Sequence, residues 1–170
     1  MQAVILAAGR GTRMKELTDA VPKPLLETAG KTLLEHKFDE LPDEVDEIIL
    51  VVGYHGDKIE KRLGDRYGER RITYVVQEEL NGTAGALWCA KDILKGRFVV
   101  MMGDDLYGRA DQEAAIAASD WAIGVWEQPA GASGGRIITD ANGLITDIIE
   151  GTHAEACPTS TNLFVLDTRL

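Results

Sequence analysis

Short apolar runs recur along the chain and alternate with segments of helical periodicity. Five runs have the length of strands that are buried on both faces, at residues 3–6, 48–52, 72–76, 98–102 and 122–126. Segments of helical pattern lie between them, near residues 32–41, 58–63, 84–94 and 112–119. This alternation predicts an α/β fold with a three-layer, doubly wound, mainly parallel sheet that helices cover on both faces.

The pattern changes from about residue 134 onward. Strand-like segments at 136–139 and 144–149 flank Asp140-Ala141-Asn142-Gly143, and an Asn-Gly pair favours a tight turn between antiparallel strands. A final apolar strand is predicted at 162–166, close to the last residue, Leu170. We therefore expect a small β-hairpin region near the carboxyl terminus of the α/β domain.

The length and composition are those of one globular domain. The 170 residues are 45% hydrophobic and 27% charged, which is enough to form a core without disulfides. Cys89 and Cys157 stand in no metal-binding or redox spacing, so we expect free thiols in a reducing cytoplasm. The apolar runs are too short for a transmembrane helix or a signal peptide.

Charge is distributed unevenly along the chain. The net charge of −10 argues against nucleic acid or an anionic membrane as a partner. Residues 1–31 nevertheless carry five basic and three acidic side chains, whereas residues 98–170 carry three basic and eleven acidic ones. A positive segment on an acidic body suits a small anionic ligand, and the acidic half could hold a hard cation.

A glycine loop with nearby cations follows the first predicted strand. Gly9 and Gly11 let the backbone turn tightly and approach a ligand, and Arg13 adds a positive charge. Lys23 stands between two prolines, and Pro24 is expected to hold it in an extended conformation. Such a loop suits a polyphosphate.

Two commoner phosphate loops are excluded. A dinucleotide fingerprint requires a third glycine where this chain has Met14, and an acidic residue where the second strand ends in Gly53-Tyr54. Gly30-Lys31-Thr32 resembles the end of a P-loop, but Leu25 occupies the position of its first glycine.

Two further strand ends carry polar residues. Gln77 could pair with the edge of a nucleobase, and the small residues after Gly82 leave room for a flat ring, although Thr83 would equally serve as a helix N-cap. Asp104 and Asp105 could ligate phosphate-bound Mg²⁺ or form an acidic turn that caps the next helix. Because parallel strands end at one edge, we expect these pieces to face one cleft.

In this order and spacing, the motifs resemble those of the sugar-1-phosphate nucleotidylyltransferase family. The likeness covers nearly the whole chain and rests on residues 6–14, 22–26, 30–36, 77–84 and 103–105. It implies a Rossmann-like nucleotide-diphospho-sugar transferase fold, with a nucleotide-binding part at 1–127 and a sugar-phosphate-binding part at 128–170. The implied reaction joins a nucleoside triphosphate, with UTP or dTTP favoured, to a sugar 1-phosphate with Mg²⁺ and releases pyrophosphate.

The resemblance also implies roles for individual residues. Arg13, Lys23 and Asp104 would be catalytic, with Asp104 as the Mg²⁺ ligand. The nucleotide would contact Leu6, Ala7, Ala8, Gly9, Gly11, Thr12, Gln77, Gly82, Thr83 and Gly103. The sugar phosphate would contact Gly135, Glu150 and Asn162, which opens the last predicted strand.

The chain departs from the family pattern in two places. Many relatives carry Glu-Lys-Pro where this chain has Glu150-Gly151-Thr152, which leans weakly toward the N-acetylglucosamine-1-phosphate uridylyltransferases. Relatives also continue past the last strand and supply a second metal ligand there, for which Asp167 is a poor substitute. We therefore expect a truncated form, a site that is completed otherwise, or impaired catalysis.

Two other functions remain open at this stage. A cytidylyltransferase for phosphocholine or a similar alcohol phosphate would need an aromatic cation box, for which Trp88, Trp121, Trp126 and Tyr107 are available. A nucleotide-sugar-binding module without turnover is the second alternative. The sequence also leaves open whether the chain forms a homo-oligomer.

Overall fold

The computed structural model describes residues 1–9 and 21–170 of the chain. The strands of this part are β1 (Gln2–Ala7), β2 (Glu27–Thr28), β3 (Lys31–Thr32), β4 (Glu47–Val52), β5 (Arg66–Tyr67), β6 (Arg70–Val76), β7 (Arg97–Met102), β8 (Ala122–Gln128), β9 (Ser133–Thr139), β10 (Ile145–Thr152) and β11 (Cys157–Asp167). The α-helices are α1 (Leu33–Asp39), α2 (Gly56–Leu63), α3 (Thr83–Cys89) and α4 (Arg109–Ala117). Short 3-10 turns lie at Lys23–Leu25 and Lys91–Ile93.

Nine of the described strands form one sheet. Its order is β10-β9-β11-β7-β1-β4-β6-β5, and β8 pairs with β11 beside this path. The four central strands, β7, β1, β4 and β6, run parallel, whereas β5 and the strands beyond β7 pair antiparallel. The predicted α/β class with a parallel sheet at its centre is confirmed, and the five predicted strands lie within two residues of observed ones.

Helices cover both faces of the parallel strands, as the unbroken apolar runs predict. Along β1, Ala3 and Ile5 face a core that includes residues of α1 and α2, and Val4 faces a second core that includes residues of α3. All three side chains are fully buried. The alternation of strand side chains thus builds two cores from one run of sequence. Among the described helices, none combines the length and apolar character needed to cross a bilayer.

Helix α1 begins with a reciprocal cap. The Glu35 backbone N–H donates to Thr32 Oγ1 at 3.1 Å, and the Thr32 backbone N–H donates to Glu35 Oε2 at 2.7 Å. Burial raises the pKa of Glu35, but the hydrogen bonds with Thr32 and the charge of Arg62 outweigh this effect and leave the pKa below its usual value. The cap fixes the start of a helix that buries Leu34 and Phe38.

Two local expectations are wrong. Lys23 begins a 3-10 turn and is not extended: the Leu25 N–H donates to Pro22 O and the Leu26 N–H to Lys23 O, so the missing N–H of Pro24 costs no hydrogen bond. Asn162 does not open the last strand, because β11 begins at Cys157. Asn162 lies within an irregularity between Ser160 and Phe164, at a φ of 60°.

The cap yields a stability prediction. Thr32→Ala should lower the free energy of unfolding by about 1 kcal/mol, because the first turn of α1 loses its side-chain acceptor. Urea denaturation followed by circular dichroism measures the change. Thr28→Ala, at an exposed threonine in the neighbouring strand, is the matched control. Equal stability of the two variants would contradict the role of the cap.

Candidate functional site

A cleft of about 310 Å³ lies at the carboxyl ends of β1, β6 and β7. Ten residues proposed from the sequence line it: Leu6, Ala7, Ala8, Gly9, Lys23, Gln77, Gly82, Thr83, Gly103 and Asp104. Pro24, Leu80, Ala86 and Met102 complete the described lining, and none of them was proposed from the sequence as a ligand contact. The expectation that separate strand ends meet at one cleft therefore holds for these positions.

The first residue after β7 packs directly against the last two residues of β1, Leu6 and Ala7. The Gly103 N–H donates to Leu6 O at 2.9 Å. A Cβ on Gly103 would lie 2.9 Å from both Ala7 Cα and Leu6 O, which is closer than side-chain carbons approach backbone atoms. Glycine is therefore required at position 103 for steric reasons, whatever its contact with a ligand.

An ion pair joins two walls of the cleft. Lys23 Nζ lies 2.6 Å from Asp104 Oδ2, and the side chains are 27% and 39% exposed. The 3-10 turn presents the lysine, and the end of β7 presents the aspartate. Because the two groups touch, a phosphate on Lys23 and a cation on Asp104 would occupy adjacent positions.

Gln77 shapes the loop that precedes α3. Its side chain is buried, and Nε2 donates to Asn81 Oδ1 at 2.9 Å and to Gly82 O at 3.2 Å. Gly82 has a φ of +96° and is the N-cap of α3, with Thr83 as the first helical residue. The interpretation of Thr83 as an N-cap is therefore wrong, and the amide nitrogen of Gln77 serves the loop itself.

The donor set at Asp104 is compatible with Mg²⁺. Within residues 1–9 and 21–170, no group of three or more His, Cys, Asp or Glu side chains could enclose a metal. Mg²⁺ commonly needs only one or two carboxylates when substrate phosphates supply further oxygens. The alternative of a helix-capping acidic turn is wrong, because α4 begins at Arg109 with Gly108 as its N-cap and no side-chain cap.

A second cavity of about 900 Å³ lies beside the β9–β10 hairpin. Gly135, Glu150 and Asn162 all line it, as do Asp105, Tyr107, Trp126, Gln128 and Thr161. Gly135 and Glu150 face each other across the hairpin, and a Cβ on Gly135 would lie 2.8 Å from Glu150 Oε1. The register shifts between Ile145 and Asp147, so the hairpin contains a bulge. The residues proposed for a sugar thus share one cavity.

Lys37 is a polar residue of this region that the sequence analysis missed. Its side chain is fully buried in α1, and Nζ donates to the backbone carbonyl of Asp105. Burial lowers the pKa of Lys37 to about 8, against the opposing charges of Asp105 and Asp104. The available signal was helical periodicity, because Lys37 lies three residues after Leu34 and next to Phe38 on the buried face.

Some proposed residues lie elsewhere. Gly11, Thr12 and Arg13 fall within residues 10–20, outside the described part of the chain. Asp167 pairs with Arg97, the first residue of β7, whereas Asp104 follows the last residue of that strand. The carboxylates of Asp104 and Asp167 therefore lie at opposite ends of β7.

The contact at Gly103 yields a prediction. Gly103→Ala should destabilise the fold by about 1–3 kcal/mol, because the new methyl group meets backbone atoms. Gly108→Ala is the matched control in the same loop: its φ is −66° and the nearest atom to a Cβ is Asp111 Oδ2 at 3.5 Å. Chemical denaturation compares the two, and equal unfolding midpoints would contradict the steric argument.

Known proteins resemble the chain in sequence and in fold. Residues 2–150 match the family described as nucleotidyl transferase. The UTP–glucose-1-phosphate uridylyltransferase AglF of Haloferax volcanii is 35% identical over 164 residues, which cover 88% of this chain and 65% of that protein. The bifunctional protein GlmU of Methanococcus vannielii is 42% identical over 107 residues, which cover 63% of this chain and 25% of that protein.

A solved structure agrees with these matches. The crystal structure of HddC from Yersinia pseudotuberculosis aligns with a TM-score of 0.79 at 26% identity, over 99% of this chain and 77% of that one. The chain spans 65% of the length of AglF and 25% of that of GlmU. The family match extends over most of the sequence and confirms the resemblance that the motifs indicated: the chain belongs to the sugar-1-phosphate nucleotidyltransferase family.

Proposed function

We propose that the protein is a Mg²⁺-dependent nucleotidylyltransferase that joins a nucleoside triphosphate to a sugar 1-phosphate and releases pyrophosphate. The adjacency of the two cavities carries this proposal. Asp104 lines the smaller cleft and Asp105, the next residue, lines the larger one. One short loop therefore separates two ligand-sized spaces, which is the arrangement that a reaction between two phosphate esters needs.

The nucleotide is assigned to the smaller cleft. The backbone of residues 6–9 offers close approach to base and ribose, and Lys23 offers a cation to the phosphates. Gln77 and the loop it holds would contact the base. Arg13, in the same sequence motif, keeps its proposed role as a triphosphate ligand.

The sugar phosphate is assigned to the larger cavity. The carboxylate of Glu150 can accept hydrogen bonds from sugar hydroxyls. Gly135 leaves space opposite that carboxylate, since any side chain there would displace it. Asn162, at the irregularity of β11, would contribute a further polar group from the opposite side of the hairpin.

The chemistry follows from bringing two polyanions together. An oxygen of the sugar phosphate forms a bond to the α-phosphorus, and the bond from this phosphorus to the β-phosphate oxygen breaks with its electrons leaving on pyrophosphate. The nucleophile is already an anion, so no general base is required. Lys23 offsets negative charge on the leaving group. Asp104 would hold Mg²⁺, which when bound neutralises charge shared between the phosphates.

UTP or dTTP is the favoured nucleotide. The amide nitrogen of Gln77 is engaged by the loop, but its oxygen could accept the imide N–H of uracil or thymine, and nearby backbone N–H groups could donate to the carbonyls of the base. AglF, at 35% identity, is named for UTP and glucose 1-phosphate. Gly151 stands where many relatives carry the lysine of Glu-Lys-Pro, which favours N-acetylglucosamine 1-phosphate as the sugar phosphate.

The aromatic residues argue against a phosphocholine acceptor. Trp126 and Tyr107 line the larger cavity, whereas Trp88 and Trp121 are not among the residues of either cleft. The Lys37 ammonium already lies 4.6 Å from the centroid of the Tyr107 ring. A cation box needs several free ring faces, and one of the two candidates here is occupied.

Pyrophosphate release tests the proposal against its rivals. The substrates are UTP, dTTP and CTP, each with glucose 1-phosphate, N-acetylglucosamine 1-phosphate or phosphocholine, with and without Mg²⁺. We expect release with UTP or dTTP and a sugar phosphate, and only with Mg²⁺. Release confined to CTP and phosphocholine would favour the cytidylyltransferase. Tight nucleotide binding without product would favour the binding module.

A second prediction concerns Asp104. Asp104→Asn should lower turnover by at least ~100-fold, the scale of losing one preorganised electrostatic group. Asp92→Asn is the matched control, because Asp92 is an exposed carboxylate in the turn before β7. Steady-state kinetics at saturating substrates measure both variants. Near-normal turnover of folded Asp104→Asn would remove Asp104 from the catalytic group.

A further inference from the structure

Lys37 is buried in a way that apolar packing does not require. The side chain lies at 0% exposure within α1, between residues that form the core. Among the described residues, no carboxylate forms an ion pair with its ammonium group. Burying a charge without a directly paired countercharge is unfavourable, and a hydrophobic side chain of similar volume would avoid this cost.

Within the described part of the chain, the polar contacts of the Lys37 ammonium group lie on the loop between the two cavities. Its Nζ donates to the backbone carbonyl of Asp105 and lies 4.6 Å from the centroid of the Tyr107 ring. One ammonium group thus contacts the segment from Gly103 to Tyr107 at two residues, Asp105 and Tyr107. Asp104, in the middle of this segment, faces the smaller cleft.

Tyr107 extends the same contact to the larger cavity. Its hydroxyl donates to Thr161 O at 3.0 Å and lies 3.3 Å from Asn162 O. The Met102 N–H approaches the same hydroxyl at 3.4 Å. A single buried tyrosine therefore links the end of β7 to the irregularity of β11, and Lys37 packs on its ring.

The helix that carries Lys37 is itself fixed relative to this loop. Gln112 Nε2 donates to Glu40 O at 3.0 Å and to Tyr107 O at 3.1 Å. The Arg109 N–H donates to Glu40 Oε2 at 3.1 Å. These hydrogen bonds join the end of α1 to the start of α4 and to the loop, so the backbone that carries Lys37 is fixed relative to the segment that its ammonium group contacts.

We propose that Lys37 is a positioning residue that holds the loop of residues 103–107, so that Asp104 faces the nucleotide and Tyr107 fixes the Asn162 region of the sugar cavity. The inference rests on the proposed function for what the two cavities bind. This role explains why a charged side chain is buried here. The ammonium group donates a hydrogen bond that sets the direction of the Asp105 carbonyl, and an apolar side chain could not do so.

Lys37→Met tests this role, because methionine keeps a long unbranched side chain and removes the donor. We expect kcat and the affinity for Mn²⁺ each to fall by about 10–100-fold, as when a group that orients a metal ligand is lost. The free energy of unfolding should stay equal or rise, since the desolvation cost of the ammonium disappears. Mn²⁺ is titrated by electron paramagnetic resonance, alone and with UTP.

Lys31→Met is the matched control, since Lys31 is an exposed lysine whose ion pair with Asp39 lies outside both cavities. It should leave kcat and Mn²⁺ affinity unchanged. The proposal is overturned if Lys37→Met keeps both its Mn²⁺ affinity and its kcat within about twofold of the unmodified protein. It is also overturned if the loss of kcat and of Mn²⁺ binding is no larger than the fraction of the variant that is unfolded. The titration with Mn²⁺ and UTP decides this even if no substrate pair in the panel reacts, an outcome that would reject the proposed function instead.

Tyr107→Phe keeps the test decisive if Lys37→Met does not fold. This variant retains the ring beneath the ammonium and removes only the hydroxyl that reaches Thr161 and Asn162. We expect a higher KM for the sugar phosphate together with weaker Mn²⁺ binding, because the loop loses its second anchor. An unchanged KM and unchanged Mn²⁺ affinity would overturn the proposal.

Discussion

The site depends on how closely the loop after β7 approaches the carboxyl end of the neighbouring strand β1. Parallel pairing of β1 with β7 sets Leu6 opposite Met102, so the segments after both strands leave the sheet side by side. Gly103, directly after β7, lies against the backbone of Leu6 and Ala7 at the end of β1, with no room for a side chain. The ion pair of Lys23 and Asp104 and the wall between the two cavities both take their positions from this contact.

Under the proposed function, this arrangement would address the main difficulty of joining two phosphate esters, which is their mutual repulsion. The cleft places a cation and an anion in contact, so the proposed phosphate and divalent cation would lie in adjacent places. The second cavity begins one residue further along the chain. Lys23 and Asp104 are not strongly buried, since both side chains keep partial contact with solvent.

The sequence predicted the fold because it follows local rules, and it predicted most of the described cleft lining through the resemblance to a known family. Unbroken apolar runs locate the parallel strands, and glycines mark close approaches. Three features were missed because tertiary contacts decide them. Lys37 stands on an apolar helix face whose partner carbonyl is distant in sequence. Pro24 biases its neighbour toward an extended conformation, yet Lys23 joins a 3-10 turn. Strand β11 is interrupted near Asn162, so only its second half shows a strand pattern.

The bulge in the β9–β10 hairpin determines which side chain faces the larger cavity opposite Gly135. Ile145 lies opposite Thr139, and regular antiparallel pairing from there would set Ile149 opposite Gly135. The extra residue at Thr146 displaces the partner by one position and sets Glu150 there instead. The carboxylate of Glu150, which can accept hydrogen bonds from hydroxyl groups, thereby takes the place of the apolar side chain of Ile149. Under the proposed function, a one-residue insertion or deletion near the hairpin turn would therefore change the side chain that faces the sugar.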